Sequence, residues 1–199
     1  MSGKCITFPE LGLYLIEGFI PAAAILRLCR AFEKGRRVRA RVMLRGEAAP
    51  RIEADVRRAY SVEVPVAPRR MIEERLLDIT TDLSDFFGVA LSRVEPPRFL
   101  EYEPGGMFRL HRDRGEDTYG DHPACRREVS VVLFLTSNPA DFRGGELNLY
   151  ARSAAGIFSH SGVRIEGRAG LLVAFSSEAL HEVEPVRAGI RRTVVSWLM

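Results

Sequence analysis

Apolar residues recur at helical spacing twice in the first half of the chain. Behind Pro21, the residues Ile25, Leu28, Cys29 and Phe32 fall on one face, and Gly35 ends the pattern. From about Pro68, a second stripe runs through Ile72, Leu76, Ile79, Leu83 and Phe86 and closes at Gly88, which predicts one further helix. From Arg98 onward the pattern changes to short apolar runs. Residues 99–102, 108–112, 129–135, 147–150, 163–165, 171–175, 183–185 and 191–198 predict strands. Turn residues separate them: Pro104 with Gly105 and Gly106, Asn138 with Pro139, Gly144 with Gly145, then Gly167 and Gly189. About eight short strands preceded by two helices predict a mainly β fold with supporting N-terminal helices, a double-stranded β-helix (jelly roll, cupin-like), the helices covering one sheet. The 199 residues suit one domain, with residues 1–96 as helical and mixed support and 97–199 as the jelly-roll core.

Composition adds exclusions. The apolar fraction of 46% and charged fraction of 28% are those of a globular chain, not a disordered or fibrous one. Net charge is only +3, and lysine occurs only at Lys4 and Lys34, so the cationic side chains are almost all arginine. The densest run, 36–45, is interrupted by Val38, Ala40, Val42 and Met43, which suits a strand with one solvated face better than a phosphate-binding stripe. No nucleic-acid partner is expected. Cys5, Cys29 and Cys125 form neither a disulfide framework nor a C-x-x-C pair, so three free thiols in a reducing compartment are expected. No segment approaches the roughly 20 apolar residues of a membrane span, and no signal peptide is evident. A cytoplasmic protein is expected.

The candidate chemistry lies at His111-Arg112-Asp113. Residues two apart on a strand share a face, so His111 and Asp113 would aim an imidazole and a carboxylate into one space while Arg112 points away. His181 begins a strand far downstream, and in a jelly roll distant strands can meet across the barrel. Two histidines and one carboxylate on one side of a metal form the facial triad of non-haem Fe(II) sites, with open positions left for other ligands. An H-x-D pair alone occurs often by chance, and a single histidine serves equally as a core or surface group. The triplet by itself does not assign a metal. His122 and His160 sit near glycine and proline and read as solvated loop residues; His122 with Cys125 lacks the second pair a zinc site needs.

The surrounding pattern carries more. Tyr102, Gly105 and Gly106 precede His111 and Asp113; Arg127 opens the run to Leu135; Gly144 and Gly145 precede Glu146; Gly170 opens an apolar strand; and His181 is followed by Pro185, Val186, Gly189, Arg191 and Trp197. In order over about the last hundred residues, this resembles the catalytic domain of the prolyl-4-hydroxylase-like 2-oxoglutarate and Fe(II)-dependent dioxygenases. The resemblance implies a hydroxylase using Fe(II), 2-oxoglutarate and O2, with His111, Asp113 and His181 as metal ligands. It also implies an unactivated C–H bond as target, on a prolyl or other amino-acid residue, with succinate and CO2 released. The substrate would be a peptide, a protein or a small molecule. A hydroxylase of a free amino acid, and a non-catalytic cupin-like metal-binding or oxygen-responsive module, are the alternatives. Asp113 favours hydroxylation, because related halogenases carry a small residue there. Related nucleic-acid demethylases carry a second arginine where this chain has Trp197.

By the same resemblance Arg191 holds the distal carboxylate of 2-oxoglutarate. Alternation agrees: Arg191 shares a strand face with Thr193, Val195 and Trp197, so it points inward if Trp197 is buried, and an inward guanidinium needs an anion. Arg192 takes the opposite face. Tyr102 matches a family tyrosine that reaches the cosubstrate. The chain departs from the pattern at Phe134, near where several relatives have a tyrosine that bonds the distal carboxylate; Tyr102, Thr193 or a water would take its place. Residues 114–126, rich in charge, glycine and proline, form a candidate lid.

Overall fold

The computed structural model describes residues 3–43, 49–115, 122–152 and 158–199, except the side chains of 151–161. In chain order the strands are β1 (Lys4–Phe8), β2 (Leu13–Glu17), β3 (Arg36–Arg39), β4 (Arg57–Arg58), β5 (Tyr60–Glu63), β6 (Arg98–Tyr102), β7 (Met107–His111) and β8 (Val129–Phe134). There follow β9 (Phe142–Gly144), β10 (Leu147–Arg152), β11 (Phe158–Ile165), β12 (Leu172–Ser176), β13 (Leu180–Val183), β14 (Val186–Gly189) and β15 (Arg191–Leu198). The helices are α1 (Ala22–Lys34), α2 (Val66–Leu77) and α3 (Thr80–Phe87).

The strands form an eight-stranded sheet ordered β1-β2-β12-β8-β15-β6-β5-β3, a five-stranded sheet ordered β11-β10-β13-β7-β4, and the pair β14-β9. This is the expected jelly roll. Residues before 97 do more than support it with helices: β1, β2, β3 and β5 are half of the large sheet, and β4 is an edge of the small one. Of these, β3 lies in the basic run that suited a strand, whereas β1, β2, β4 and β5 were not expected; each is two to five residues long, too short for a clear periodic signal.

The large sheet is covered on both faces. Val131, Leu133, Val194 and Leu198 pack outward against Leu28, Phe32 and Ile72 of the helices. Val132, Phe134, Val173 and Phe175 pack inward against Leu147 and Leu149 of the small sheet. That double burial explains why β8 reads as an unbroken apolar run. The second helical stripe is core as expected, with Ile79 and Leu83 both fully buried, but it is two helices, not one. The N–H of Ile79 and the hydroxyl of Thr80 both reach the Leu76 carbonyl, and Ile79 leaves helical geometry at φ −106 and ψ 4. Gly88 closes α3 in the left-handed conformation.

Three further boundaries differ. β7 ends at His111, so Arg112 and Asp113 lie beyond the strand, and the alternation expected to put His111 and Asp113 on one face with Arg112 on the other stops before them. The strand expected at 183–185 is β13, three residues earlier, so His181 lies inside a strand. Pro185 has no N–H to continue the ladder. The basic run is a strand only over Arg36–Arg39; Arg45 lies outside the described residues, as do 116–121 of the candidate lid. His160 falls in β11, not in a loop, and its side chain lies outside the described ones.

Candidate active site

His111, Asp113 and His181 come together between the two sheets, with ligand atoms all within 4.8 Å of one another. The histidines meet as neighbours in the small sheet, His181 opposite His111 in the β13–β7 ladder, and not across the barrel. Three residues of β13 (His181 to Val183) face four of β7 (His111 to Phe108), so β7 carries a bulge. The bulge turns Phe108 and His111 to the same side, where their rings stack at 3.5 Å. Phe175 closes on His181 from the large sheet with ring centroids 4.8 Å apart.

Both imidazoles are oriented through Nδ1, which lies 2.8 Å from the Arg109 carbonyl in His111 and 2.9 Å from the Ala179 carbonyl in His181. A carbonyl can only accept, so Nδ1 carries the hydrogen in each and Nε2 keeps the lone pair. The two Nε2 atoms stand 3.6 and 3.4 Å from the two oxygens of Asp113. Three donors each about 2.1 Å from a common ion, in a facial arrangement, would be roughly 3.0–3.5 Å apart. The residues therefore fit a divalent metal, and the carbonyls behind the rings are the outer support such ligands need.

The backbone of Asp113 is tied on both sides. Its N–H donates to the Ser177 carbonyl at 3.0 Å, and its carbonyl accepts from Arg127 Nη1 at 3.1 Å. Arg127 is itself clamped, with Nη2 donating to Glu95 at 2.8 Å, Nε paired to the same carboxylate, and the guanidinium 3.6 Å over the Trp197 ring. The arrangement Glu95–Arg127–Asp113 escaped sequence reading, since Arg127 is local to nothing it touches.

Electrostatically the site is built to hold charge. Burial pushes the His111 imidazole down to about 4, and the neighbouring His181 adds to the effect. Burial would raise Asp113, but the His181 and His111 rings outweigh it and hold the carboxyl well below its usual range. Burial likewise opposes charging His181, yet the Asp113 carboxylate more than offsets this and raises it.

Arg191 is 1% exposed. It lies opposite Tyr102 in the β15–β6 ladder, and Thr193 lies opposite Phe134 in the β15–β8 ladder, so strand pairing alone places all four on the inner face. The Arg191 Nε donates to the Gly145 carbonyl at 2.8 Å and Nη1 to Thr193 Oγ1 at 3.3 Å. Nη2 is buried with no partner, and no described carboxylate pairs with the group. Its charge faces rings instead, with Tyr102 at 5.1 Å and Phe134 at 4.9 Å. Burial lowers its pKa to about 10, against smaller support from Tyr102 and Glu146. An enclosed guanidinium with an idle donor is able to receive an anion, and no described residue supplies one. Gly145, at φ +65, lets the turn approach: a Cβ there would come within 3.0 Å of Arg191 Cδ.

Arg191, Thr193, Val195 and Trp197 all line one cleft with the triad, as the alternation predicts. The cleft measures about 1380 Å³. Arg192 is on the opposite face, as expected, but is not free there. It pairs with Glu101 at 2.9 Å and Glu33 at 3.6 Å beneath α1. His122 lies in a loop as expected but is half-buried: it lines the cleft and accepts from the Ala124 N–H at 3.2 Å. Cys5, Cys29 and Cys125 are free thiols. Among the described residues no helix is long and apolar enough to cross a membrane.

Comparison with known proteins agrees with this geometry. The family described as the 2OG-Fe(II) oxygenase superfamily matches residues 97–199, just over half of the chain. A PKHD-type hydroxylase of Sphingopyxis alaskensis is 32% identical over 124 residues, 62% of this chain and 53% of that protein. One from Stenotrophomonas maltophilia is 31% identical over 131 residues, 65% of this chain and 55% of that protein. The chain thus spans about half the length of these relatives. Among solved structures, a Pseudomonas putida prolyl-4-hydroxylase superposes with a TM-score of 0.65 at 25% identity, covering 94% of this chain and 91% of that one. A Trichoplax adhaerens prolyl hydroxylase superposes with a TM-score of 0.70 at 18% identity, covering 95% and 84%, which speaks for the fold alone.

Proposed function

The chain belongs to the 2OG-Fe(II) oxygenase superfamily, and within it we propose a hydroxylase that acts on a C–H bond of a prolyl or other amino-acid residue in a peptide. The reaction would consume 2-oxoglutarate and O2 and yield succinate, CO2 and the alcohol, one oxygen atom going to the substrate and the other to succinate. His111, Asp113 and His181 would hold Fe(II), which supplies the coupling of O2 reduction to oxidative decarboxylation and C–H oxidation. The carrying observation is Arg191, a buried guanidinium with an unused donor in the same cleft as the three candidate ligands. It would take the distal carboxylate of 2-oxoglutarate, with Thr193 and Tyr102 beside it. Phe134 offers no donor, and Thr193 is the hydroxyl nearest in register.

The peptide reading is supported by the cleft. Its 1380 Å³ exceeds the roughly 300–1,000 Å³ usual for a small-molecule pocket. The likeness to a prolyl-4-hydroxylase favours a prolyl target. Free thiols support a cytoplasmic setting. The test is succinate formation from 2-oxoglutarate by the Fe(II)-loaded chain, together with the visible charge-transfer band of the anaerobic Fe(II)–2-oxo acid complex. A chain that binds Fe(II) but gives neither band nor succinate would be a non-catalytic metal-binding module.

A further inference from the structure

The cleft holds more positive charge than Arg191 and the triad explain. Arg39, Arg41 and Arg57 also line it, and among the described residues none of the three is ion-paired. The described lining carboxylates are otherwise engaged: Glu63 bonds Arg36 at 2.9 and 2.7 Å, Glu178 stands 3.7 Å from Arg114, and Asp113 is in the triad.

Two of the three guanidinium groups are positioned by aromatic rings, with their charge left whole. Arg39 lies 4.5 Å over the Tyr60 ring, and Arg57 lies 4.5 Å over the Phe108 ring. Arg57 is the informative one. It sits opposite Phe108 in the β4–β7 ladder, so both side chains leave the sheet on one face. Phe108 stacks at 3.5 Å on His111, so Arg57, Phe108 and His111 form a three-layer pile running from the rim to the candidate metal site. Its Nη1 donates to the Arg41 carbonyl at 3.3 Å and its Nε has no acceptor. Leu110, 50% exposed, lines the same cleft and offers an apolar contact beside these charges.

Resting on the hydroxylase reading above, we propose that the substrate is an acidic peptide, whose Asp or Glu near the target residue is received by Arg57, with Arg39 and Arg41 drawing it in. An extended chain advances about 3.3 Å per residue, so two ring layers correspond to a carboxylate one to three residues from the residue facing the triad. A nucleic-acid groove is the weaker fit. Beside the cleft, Arg36 and Arg37 are neutralised by Glu63 and Glu103.

The test uses two fluorescent decapeptide pools with a central proline, identical except that Asp and Glu in one stand where Asn and Gln stand in the other. Anisotropy is read on the full chain loaded anaerobically with Fe(II) and 2-oxoglutarate. The acidic pool should bind at least tenfold more tightly, the preference should shrink with added salt, and Arg57→Gln should remove most of it. Arg39→Gln with Arg41→Gln, both at exposed positions, should reduce it by a smaller factor, which keeps the proposal testable if the Arg57 variant misfolds. Arg70→Gln, on an exposed face of α2 outside the cleft, should preserve it. Equal binding of the two pools overturns the proposal. So does a preference untouched in all cleft variants, or tighter binding of an oligonucleotide or a phosphorylated pool. Binding needs no turnover, whereas succinate formation without peptide tests the hydroxylase reading, so the two failures are told apart.

Discussion

Adjacent arginines on the two faces of β15 are held in opposite ways. Arg192, under α1, has two carboxylates: Glu101, itself 3% exposed, at 2.9 Å and Glu33 at 3.6 Å. Arg191, on the inner face, is more deeply buried and has a carbonyl, a hydroxyl and two aromatic rings but no anion among the described residues. The first is complete as folded and contributes to stability. The second is incomplete as folded, since a desolvated charge with an idle donor is unfavourable until a ligand arrives. The helix-covered face of the sheet pairs its charge internally, while the inner face leaves a buried donor open, as the proposed 2-oxoglutarate site requires.

The largest expected effect removes the inner face's metal. His111→Ala, Asp113→Ala and His181→Ala should each lower retained Fe(II) severely and reduce 2-oxoglutarate-dependent succinate formation by at least about two decades, more than loss of an outer supporting group. Iron content after desalting and circular dichroism check this together. Near-normal iron in any folded variant would remove that residue from the ligand set.

Next comes Arg191. Losing one partner of a desolvated ion pair costs about 3–5 kcal/mol, which at about 1.4 kcal/mol per decade is two to three decades in 2-oxoglutarate affinity. Arg191→Ala should show that loss while Fe(II) binding stays nearly intact, and Arg191→Lys should fall between. Arg192→Ala should leave this affinity within about twofold, because its side chain lies on the other face. Titration of the anaerobic Fe(II) forms decides, and an affinity loss confined to the Arg192 variant would reverse the two roles.

Stability should invert the ranking. Arg192→Met leaves Glu101 with Arg37 alone, 3.0 Å away, and should cost about 1–3 kcal/mol in urea unfolding. Arg191→Met keeps bulk and removes a buried unpaired charge, so the ligand-free protein should be at least as stable as the parent. A parent clearly more stable than Arg191→Met would mean that the guanidinium is already satisfied without ligand.

The smallest effect is expected at Arg36→Gln. That side chain and Glu63 are 74% and 55% exposed, and pairs of this kind contribute little. The urea midpoint should not move resolvably. A clear drop would show that the exposed edge at β3 matters more to the fold than its solvation suggests.

What the sequence by itself determined follows from short-range geometry. A period of two, applied to 191–198, put Arg191, Thr193 and Trp197 on one face and Arg192 on the other. Glycine and proline spacing marked the turns and the jelly roll. Such inferences need only neighbours along the chain. Tertiary structure decided the rest. Asp113 joins His111 from beyond the end of β7, tied to Ser177 instead of carried by strand alternation. His181 meets His111 only through β13–β7 pairing, and the bulge that stacks Phe108 on His111 exists only in that ladder. Arg127 reaches the Asp113 carbonyl across 14 residues and Glu95 across 32. β4 is two residues long, too short for any periodic signal, yet it sets Arg57 at the cleft. Even the break between α2 and α3 depended on which group took the Leu76 carbonyl. Periodicity constrains where a side chain points, while its partner is chosen by strand pairing between segments distant in the chain.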